Sequence, residues 1–332
     1  MLKVGVIGLG VGAAHAKSFA ENEHCDVIAL CDFEQDKQDW AKDYFPDAKV
    51  GDDAGSLLDN DLDIVVIAGF DDTHHQQVMK ALKNDIHVFV EKPMCLYENE
   101  AIDIRKTLTA SNKFLSSNLC LRTAPLFENV RNAVLDGSMG DVFHMEGDYL
   151  WGRLHKLNDG WRSKMDFYSI TYGAAVHMID LLMWISDEKI TEVFAYGNNI
   201  GGKPANFPFD DFAVILLKFE NGATAKVSAN GGCAHPHFHK VEVCGTESTF
   251  SHTPLGSKWT DSRDSNVPLR DAKGAYPARE ERWKVISTFV DSIVSNEDKS
   301  LITCDDVFNT MSVCFAAERS LQSGKSETVK YL

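Results

Sequence analysis

Short apolar runs alternate with amphipathic stretches through the first third of the chain. Runs typical of strands buried on both faces occur at Val4–Ile7, Val27–Cys31, Asp63–Ala68, Ile86–Val90 and Phe114–Ser117. The stretches between them, such as Glu98–Ala110, have helical spacing. Repeated strand–helix units predict a doubly wound parallel sheet that binds ligands at the carboxyl ends of its strands.

From about residue 121 the pattern changes to strand-like segments separated by turn signals. Asn221-Gly222 lies between two such segments and predicts a hairpin with a type I′ turn. Residues 252–278 are polar and predict a loop, and helices over Glu280–Ser295 and Asp305–Ser323 close the chain. We therefore expect an α/β protein with a nucleotide-binding domain over 1–120. The second domain, over 121–332, should be α+β with a large, open, mostly antiparallel sheet.

Composition restricts the partners. Among 332 residues, 33 Lys and Arg face 49 Asp and Glu, and the net charge of −16 disfavours nucleic acid and anionic membranes. The eight cysteines form no C-x-x-C pair, and no apolar run approaches the roughly 20 residues of a membrane span. With no signal-peptide cleavage pattern, we expect a cytoplasmic protein with reduced thiols that acts on a small molecule.

A glycine-rich turn follows the first strand. Gly8 permits the tight turn, Gly10 lets the backbone approach a pyrophosphate, and Val11 and Gly12 lead into the next helix. Ala13 takes the third position of the dinucleotide fingerprint, where alanine is allowed. The strand before the turn and the helix pattern after it support a dinucleotide site.

Asp32 follows the second strand directly, where an acidic residue is expected to hold the adenosine ribose hydroxyls. A carboxylate there repels a 2′-phosphate, and no arginine follows it, so NAD is favoured over NADP. The alternative is a polar strand-end residue that starts a turn. Further cofactor candidates follow the later strands, namely Asp71, His74, Glu91, Lys92 and Asn118.

With these residues placed, the chain resembles the Gfo/Idh/MocA oxidoreductases, which include glucose–fructose oxidoreductase and inositol dehydrogenase. The resemblance rests on the glycine turn, Asp71-x-x-His74, Glu91-Lys92-Pro93 and His177-x-x-Asp180, and it covers essentially the whole length. It implies a Rossmann domain that binds NAD or NADP, and hydride transfer at a carbon of a sugar, cyclitol or sugar nucleotide. It also implies a homodimer or homotetramer formed through the outer face of the second sheet.

Lys92 is the first catalytic candidate. An ammonium group there can hydrogen-bond the substrate oxygen and stabilise a developing alkoxide. Glu91 would help to hold Lys92, and the Lys92–Pro93 bond is a candidate for a cis peptide. The alternative is an exposed lysine before a turn.

His177, in an apolar helix predicted over Gly173–Ile185, is the candidate proton acceptor. Asp180 shares its face and is expected to orient the ring; the alternative is a satisfied core histidine. The family's usual Asp-x-Gly-x-His pattern is broken because Gly173 stands where the aspartate belongs. Tyr172 or Tyr168 could take over part of its work.

Cationic and aromatic side chains are candidates for the substrate wall. Arginine forks suit carboxylates and phosphates, and tryptophan faces suit sugar rings. The candidates are Arg122, Arg153, Trp161, Arg162, Tyr168 and His177, the alternative for the arginines being ordinary surface charge. His235-x-His237-x-His239 has alternate spacing that could meet zinc, but we favour a substrate-wall or loop role and expect no metal.

Together these features predict an NAD-dependent dehydrogenase acting on the CH–OH group of a sugar, cyclitol or sugar derivative. Two alternatives stay open. One is a sugar-nucleotide oxidoreductase of surface-polysaccharide synthesis. The other, favoured by the missing aspartate, is a non-catalytic regulator that binds a nucleotide and a sugar.

Overall fold

The computed structural model describes all 332 residues, which divide into two compact units. The first unit comprises Met1–Leu119, Glu280–Phe308 and Leu332, and the second comprises Cys120–Arg279 and Asn309–Tyr331. No helix is long and apolar enough to cross a membrane.

The first unit is built on a six-stranded parallel sheet. Its strands are β1 (Leu2–Ile7), β2 (Cys25–Cys31), β3 (Lys49–Gly51), β4 (Ile64–Ile67), β5 (His87–Val90) and β6 (Leu115–Ser117). The connecting helices are α1 (Gly12–Ala20), α2 (Gln35–Tyr44), α3 (Ala54–Leu58), α4 (His74–Lys83) and α5 (Glu98–Thr109). The order β3-β2-β1-β4-β5-β6 confirms the predicted doubly wound sheet, and its switch point lies between β1 and β4.

The second unit is built on a nine-stranded sheet. Its helices are α6 (Pro125–Leu135), α7 (Leu154–Asn158) and α8 (Val176–Ser186). Its strands are β7 (Val142–Leu150), β8 (Ile190–Asn198), β9 (Phe212–Phe219), β10 (Thr224–Asn230), β11 (Phe238–Gly245), β12 (Thr249–Thr253), β13 (Gly256–Thr260), β14 (Arg270–Asp271) and β15 (Glu327–Thr328). The order is β14-β13-β12-β11-β7-β10-β9-β8-β15, and only β7 and β10 pair in parallel, which confirms the mostly antiparallel sheet.

Two helices lie between β14 and β15, namely α9 (Trp283–Ser295) and α10 (Cys304–Ser323). Helix α9 belongs to the first unit because its Phe289 ring packs 5.8 Å from the Phe89 ring of β5, and both side chains are fully buried. A single domain boundary at residue 120 stays a prediction. The compact units differ from it in that Glu280–Phe308 pack with the first unit.

Two local predictions are wrong. The region 252–278 is not all loop, because β13 pairs with β12 and buries Trp259 with its ring 5.1 Å from that of Phe250. The hairpin turn is not type I′, because Asn221 is absent from the residues with positive φ. The Gly222 amide donates to the Phe219 carbonyl, and Gly222 alone takes the left-handed conformation, at φ 90°.

Replacing Phe289 by alanine should lower the free energy of unfolding of the first unit by about 3–5 kcal/mol, because it empties a ring-sized volume in a closed core. Urea unfolding with and without NAD identifies the transition that belongs to the NAD-binding unit. Val294→Ala on the exposed face of α9 is the matched control. An unchanged NAD-sensitive transition in Phe289→Ala would contradict the assignment of α9.

Candidate active site

The glycine turn after β1 leaves room for a phosphate group. Gly8 has φ 83°, and a Cβ there would strike the Ala68 carbonyl, so only glycine fits. A Cβ on Gly10 would meet nothing within 4 Å, whereas one on Gly12 would lie 3.1 Å from the Ala68 Cβ. The backbone at Gly10 therefore faces open space, and Gly12 lets α1 pack closely on the sheet; the role of Gly10 in cofactor binding stays a prediction. The Val11 side chain is exposed beside them.

Asp32 at the end of β2 is buried and fixed by the backbone. Its Oδ2 accepts a hydrogen bond from the Leu9 amide at 2.6 Å, and its Oδ1 accepts one from the Glu34 amide at 2.9 Å. Lys37 lies with its Nζ 3.7 Å from Asp32 Oδ2 and 2.8 Å from Glu34 Oε2. Lys37 is not among the candidate residues predicted from the sequence. The Lys37 ammonium group is therefore shared between two carboxylates, and the role of Asp32 in ribose binding stays a prediction.

Glu91, directly after β5, is the centre of a buried polar network. Its Oε1 accepts a hydrogen bond from Asn118 Nδ2 at 2.7 Å and lies 2.7 Å from His15 Nε2. Its Oε2 accepts from the Lys92 amide at 3.3 Å. Burial alone would raise the pKa of Glu91, but the hydrogen bond and charge of His15, with Lys92 and Asn118, lower that pKa to about 2. The carboxylate is therefore ionised.

His15 belongs to this network but is not among the candidate residues predicted from the sequence. It lies on the first turn of α1, just after the glycine turn, and is 8% exposed. The sequence contains one signal for this residue, because a polar histidine lies two residues after Ala13 at the start of the helix. The contact with Glu91 spans 76 residues and becomes visible only in the fold.

The segment after Lys92 is held by a second buried histidine. The Lys92–Pro93 peptide is cis, as predicted. His74 Nδ1 lies 2.7 Å from the Pro93 carbonyl oxygen, and its Nε2 lies 3.3 Å from that of Gly69. Asp71, three residues earlier, is also buried and begins a short 3₁₀-helix. His74 thus positions the chain around Lys92, and the cofactor roles of His74 and Asp71 stay predictions.

In the second unit, His177 lies one residue into α8, after a π-helical turn over Thr171–Ala175. The helix predicted over Gly173–Ile185 is confirmed; it begins two residues earlier, and its first turn is π-helical. Ser169 anchors the turn, because its Oγ accepts a hydrogen bond from the Thr171 amide at 3.0 Å and donates one to Glu318. Burial raises the pKa of Glu318 despite these contacts.

The His177 ring stacks on Tyr149 of β7, with centroids 5.7 Å apart and planes 13° apart. The same tyrosine contacts His237 and His239, whose ring centroids lie 5.0 and 4.6 Å from its own. His239 Nδ1 lies 2.5 Å from the Tyr276 hydroxyl. His237 and His239 therefore contact the same tyrosine as His177. No group of three His, Cys, Asp or Glu side chains is arranged to hold a metal ion.

The missing aspartate has a structural counterpart. A Cβ at Gly173 would fall on the hydroxyl of Tyr168, which therefore occupies the space of a side chain four residues before His177. Tyr172 instead packs its ring against Phe167 and Phe315, with centroids 6.0 and 5.9 Å apart. Of the two tyrosines expected to compensate, Tyr168 has its hydroxyl at the vacated position.

Arg122 and Asp180 form a buried ion pair. Arg122 Nε and Nη2 donate to the two carboxylate oxygens at 3.1 and 2.6 Å, and Thr310 Oγ1 lies 3.3 Å from Oδ1. The guanidinium lies 5.9 Å from the Trp184 ring centroid. The expected roles of Arg122 in substrate binding and of Asp180 in orienting His177 stay predictions. Removing either partner would leave an uncompensated buried charge.

Three of the predicted substrate residues do come together. The Arg162 guanidinium lies 4.2 Å from the Trp161 ring centroid and 5.9 Å from that of Tyr168. The flat faces of these rings contact the guanidinium and support it by cation–π interactions.

Both halves of the chain match models of one family. Residues 2–119 match the oxidoreductase family with an NAD-binding Rossmann fold, and residues 127–251 match the GFO/IDH/MocA C-terminal domain. The chain belongs to the Gfo/Idh/MocA oxidoreductase family. The family is one of oxidoreductases with an NAD-binding Rossmann fold, and NAD is the cofactor of this chain.

Sequence alignments with relatives cover nearly the whole chain. The myo-inositol 2-dehydrogenase of Thermotoga maritima is 24% identical over 98% of each chain, and the inositol 2-dehydrogenase of Rubrobacter xylanophilus is 26% identical over 100% of this chain and 94% of its own. The solved scyllo-inositol dehydrogenase of Lactobacillus casei, with bound NAD(H) and scyllo-inositol, has a TM-score of 0.82, 21% identity and 99% coverage of both chains. At that identity the structural likeness supports the fold.

The buried Glu91 predicts an acid-sensitive stability. Its folded pKa of about 2 lies below the ordinary value of 4.5, so its stabilisation is present above about pH 5 and is lost as the pH falls towards 2. The wild type should lose about 3 kcal/mol of unfolding free energy in this range that Glu91→Gln does not lose.

Denaturant unfolding at a series of pH values measures this difference. Glu23→Gln, at an exposed position of the same unit, is the control and should follow the wild-type profile. If Glu91→Gln and the wild type have parallel profiles from pH 5 to 2, the carboxylate does not carry this linkage.

Proposed function

We propose that this protein is an NAD-dependent dehydrogenase that interconverts a secondary alcohol and a ketone on a cyclitol or sugar derivative. The observation that carries the proposal is the ionised, buried Glu91 directly before Lys92 at a strand end of the NAD-binding unit. The inositol dehydrogenases among its full-length relatives favour a cyclitol-like substrate. A nucleotide sugar is the alternative substrate class.

In the cofactor half, the glycine turn would bind the pyrophosphate through the backbone at Gly10, and Asp32 would accept the ribose hydroxyls. NAD, when bound, supplies the hydride acceptor or donor. The hydrogen bond from Asn118 to Glu91 would hold the ends of β6 and β5 together where they face the cofactor. Lys92 would donate a hydrogen bond to the substrate oxygen and stabilise the negative charge that develops there.

In the substrate half, His177 would accept the hydroxyl proton during oxidation and return it during reduction. Its ring orientation is limited by the stack on Tyr149. Tyr168 would take the place of the family's aspartate at Gly173, as a neutral hydroxyl instead of a carboxylate. This replacement supplies a hydrogen-bonding group but removes a negative charge that would favour protonated His177.

We further propose a homodimer or homotetramer formed through the outer face of the second sheet. Tyr196 and Leu216 are 64% and 54% exposed, and strand register places Leu216 on the same face as Tyr196. Large apolar side chains on an open sheet favour contact with a second copy. A cytoplasmic location is proposed from the eight free cysteines and the use of NAD.

Lys92→Ala should lower kcat by about 10²- to 10³-fold while NAD affinity stays within a few-fold of wild type, because the lost charge acts on the substrate oxygen. Nicotinamide absorbance is followed with NAD and a panel of cyclitols, free sugars, sugar acids and nucleotide sugars. Lys83→Ala, at an exposed position of the same unit, is the control.

Near-normal turnover in Lys92→Ala would show that another residue carries this role. Ligand-dependent thermal stabilisation of the wild type without turnover on any member of the panel would favour a regulator in place of an enzyme.

A further inference from the structure

The segment that follows β7, Trp151–Lys164, is unusually cationic for this chain. It carries Arg153, Lys156, Arg162 and Lys164 against the single carboxylate of Asp159, in a protein with a net charge of −16. We refer to this segment as the cationic loop. A group of cations in an otherwise acidic protein creates a local positive potential, which attracts anions.

Aromatic rings, and not carboxylates, hold the central guanidinium. Arg162 lies 4.2 Å from the Trp161 ring centroid, 5.4 Å from that of Trp151 and 5.9 Å from that of Tyr168. Its Nε is buried and makes no hydrogen bond within the protein. A buried donor of this kind costs folding free energy unless a ligand or water accepts its hydrogen bond.

The cations of the loop lie close enough to repel one another. Burial lowers the pKa of Lys156, and the charges of Arg153 and Arg162 lower that pKa further. No carboxylate contributes to this balance. Like charges gathered without a counter-ion favour binding of an anion, which relieves their repulsion.

The loop is fixed at its start, and Tyr168, a ring near Arg162, also reaches the helical turn before His177. The Trp151 amide donates to the Asn230 carbonyl at 2.9 Å, and Gly152 has φ 57°, where a Cβ would strike the His235 carbonyl. Trp151 is two residues from Tyr149, on which His177 stacks. Tyr168, the third ring around Arg162, places its hydroxyl at Gly173.

We propose that Arg153, Lys156 and Arg162 bind an anionic group of the substrate, a carboxylate or phosphate, so that the enzyme acts on an acidic polyol. This inference rests on the proposed function and makes the substrate class narrower. The planar guanidinium of Arg162 supplies two parallel donors to the anion, and the neighbouring cations supply charge. The tryptophan faces then contact the carbon ring or chain.

Binding to the NADH complex tests the proposal without turnover. Calorimetry measures the affinity of two acid and neutral pairs, D-glucuronate with D-glucose and myo-inositol 1-phosphate with myo-inositol. At least one acid should bind about tenfold or more tightly than its neutral parent, and added salt should weaken only the acid. The two pairs distinguish a carboxylate from a phosphate.

Arg162→Gln should weaken binding of the preferred acid by about 10- to 100-fold and leave its neutral parent unchanged. Lys156→Gln gives a second variant at an exposed position in case Arg162→Gln fails to fold, and it should show a smaller loss in the same direction. Arg263→Gln, an exposed arginine elsewhere in the unit, should bind like wild type.

Equal affinities within each pair, or no binding of either acid, would overturn the inference. The result is separable from the proposed function. Turnover of neutral polyols, unaffected by Arg162→Gln, would leave the dehydrogenase intact and remove only the anionic substrate. Acid binding that needs Arg162, in a protein that reduces no NAD, would remove the dehydrogenase and keep the anion site.

Discussion

The ionised carboxylate of Glu91 is buried, and three parts of the first unit meet to keep it charged. His15 reaches it from α1, Asn118 from the end of β6, and the Lys92 amide from its own strand end. Each contact offsets part of the cost of burying the charge. The position of Lys92 depends on this network, because the backbone on both sides of it is tied, by Glu91 before it and by His74 at Pro93 after it.

The second unit uses comparable constraints around His177. Glu318 of α10 holds Ser169, which in turn holds the start of the π-helical turn that leads to the histidine. The Arg122–Asp180 pair fixes the next turn of α8 in the interior. The Tyr168 hydroxyl lies 2.2 Å from where a Cβ of Gly173 would be, so no empty space remains at this position. A tyrosine provides a hydroxyl group there but no charge, in contrast to the carboxylate of the common pattern.

Local patterns were enough to predict the parallel sheet, its strand ends and the Lys92–Pro93 cis peptide. Contacts between distant segments were not predictable. His15 and Glu91 are 76 residues apart, and Phe289 packs on Phe89 although 200 residues separate them. Strand β13 lies in a polar region whose sequence predicts a loop. Trp259 becomes buried only because β13 pairs with β12. The sequence shows that Arg122 is a cation. It does not show that the guanidinium pairs with the carboxylate of Asp180 in the interior.

Transfer of deuterium tests the central claim of hydride exchange at a substrate carbon most directly. Polyols and sugar acids deuterated on their carbinol carbons are incubated with the protein and NAD, and the nicotinamide is examined by NMR. We expect one deuterium at C4 of the nicotinamide, on a single face of the ring. Substrate binding with a nicotinamide that stays unlabelled would contradict the account and leave the protein as a binder of nucleotide and polyol.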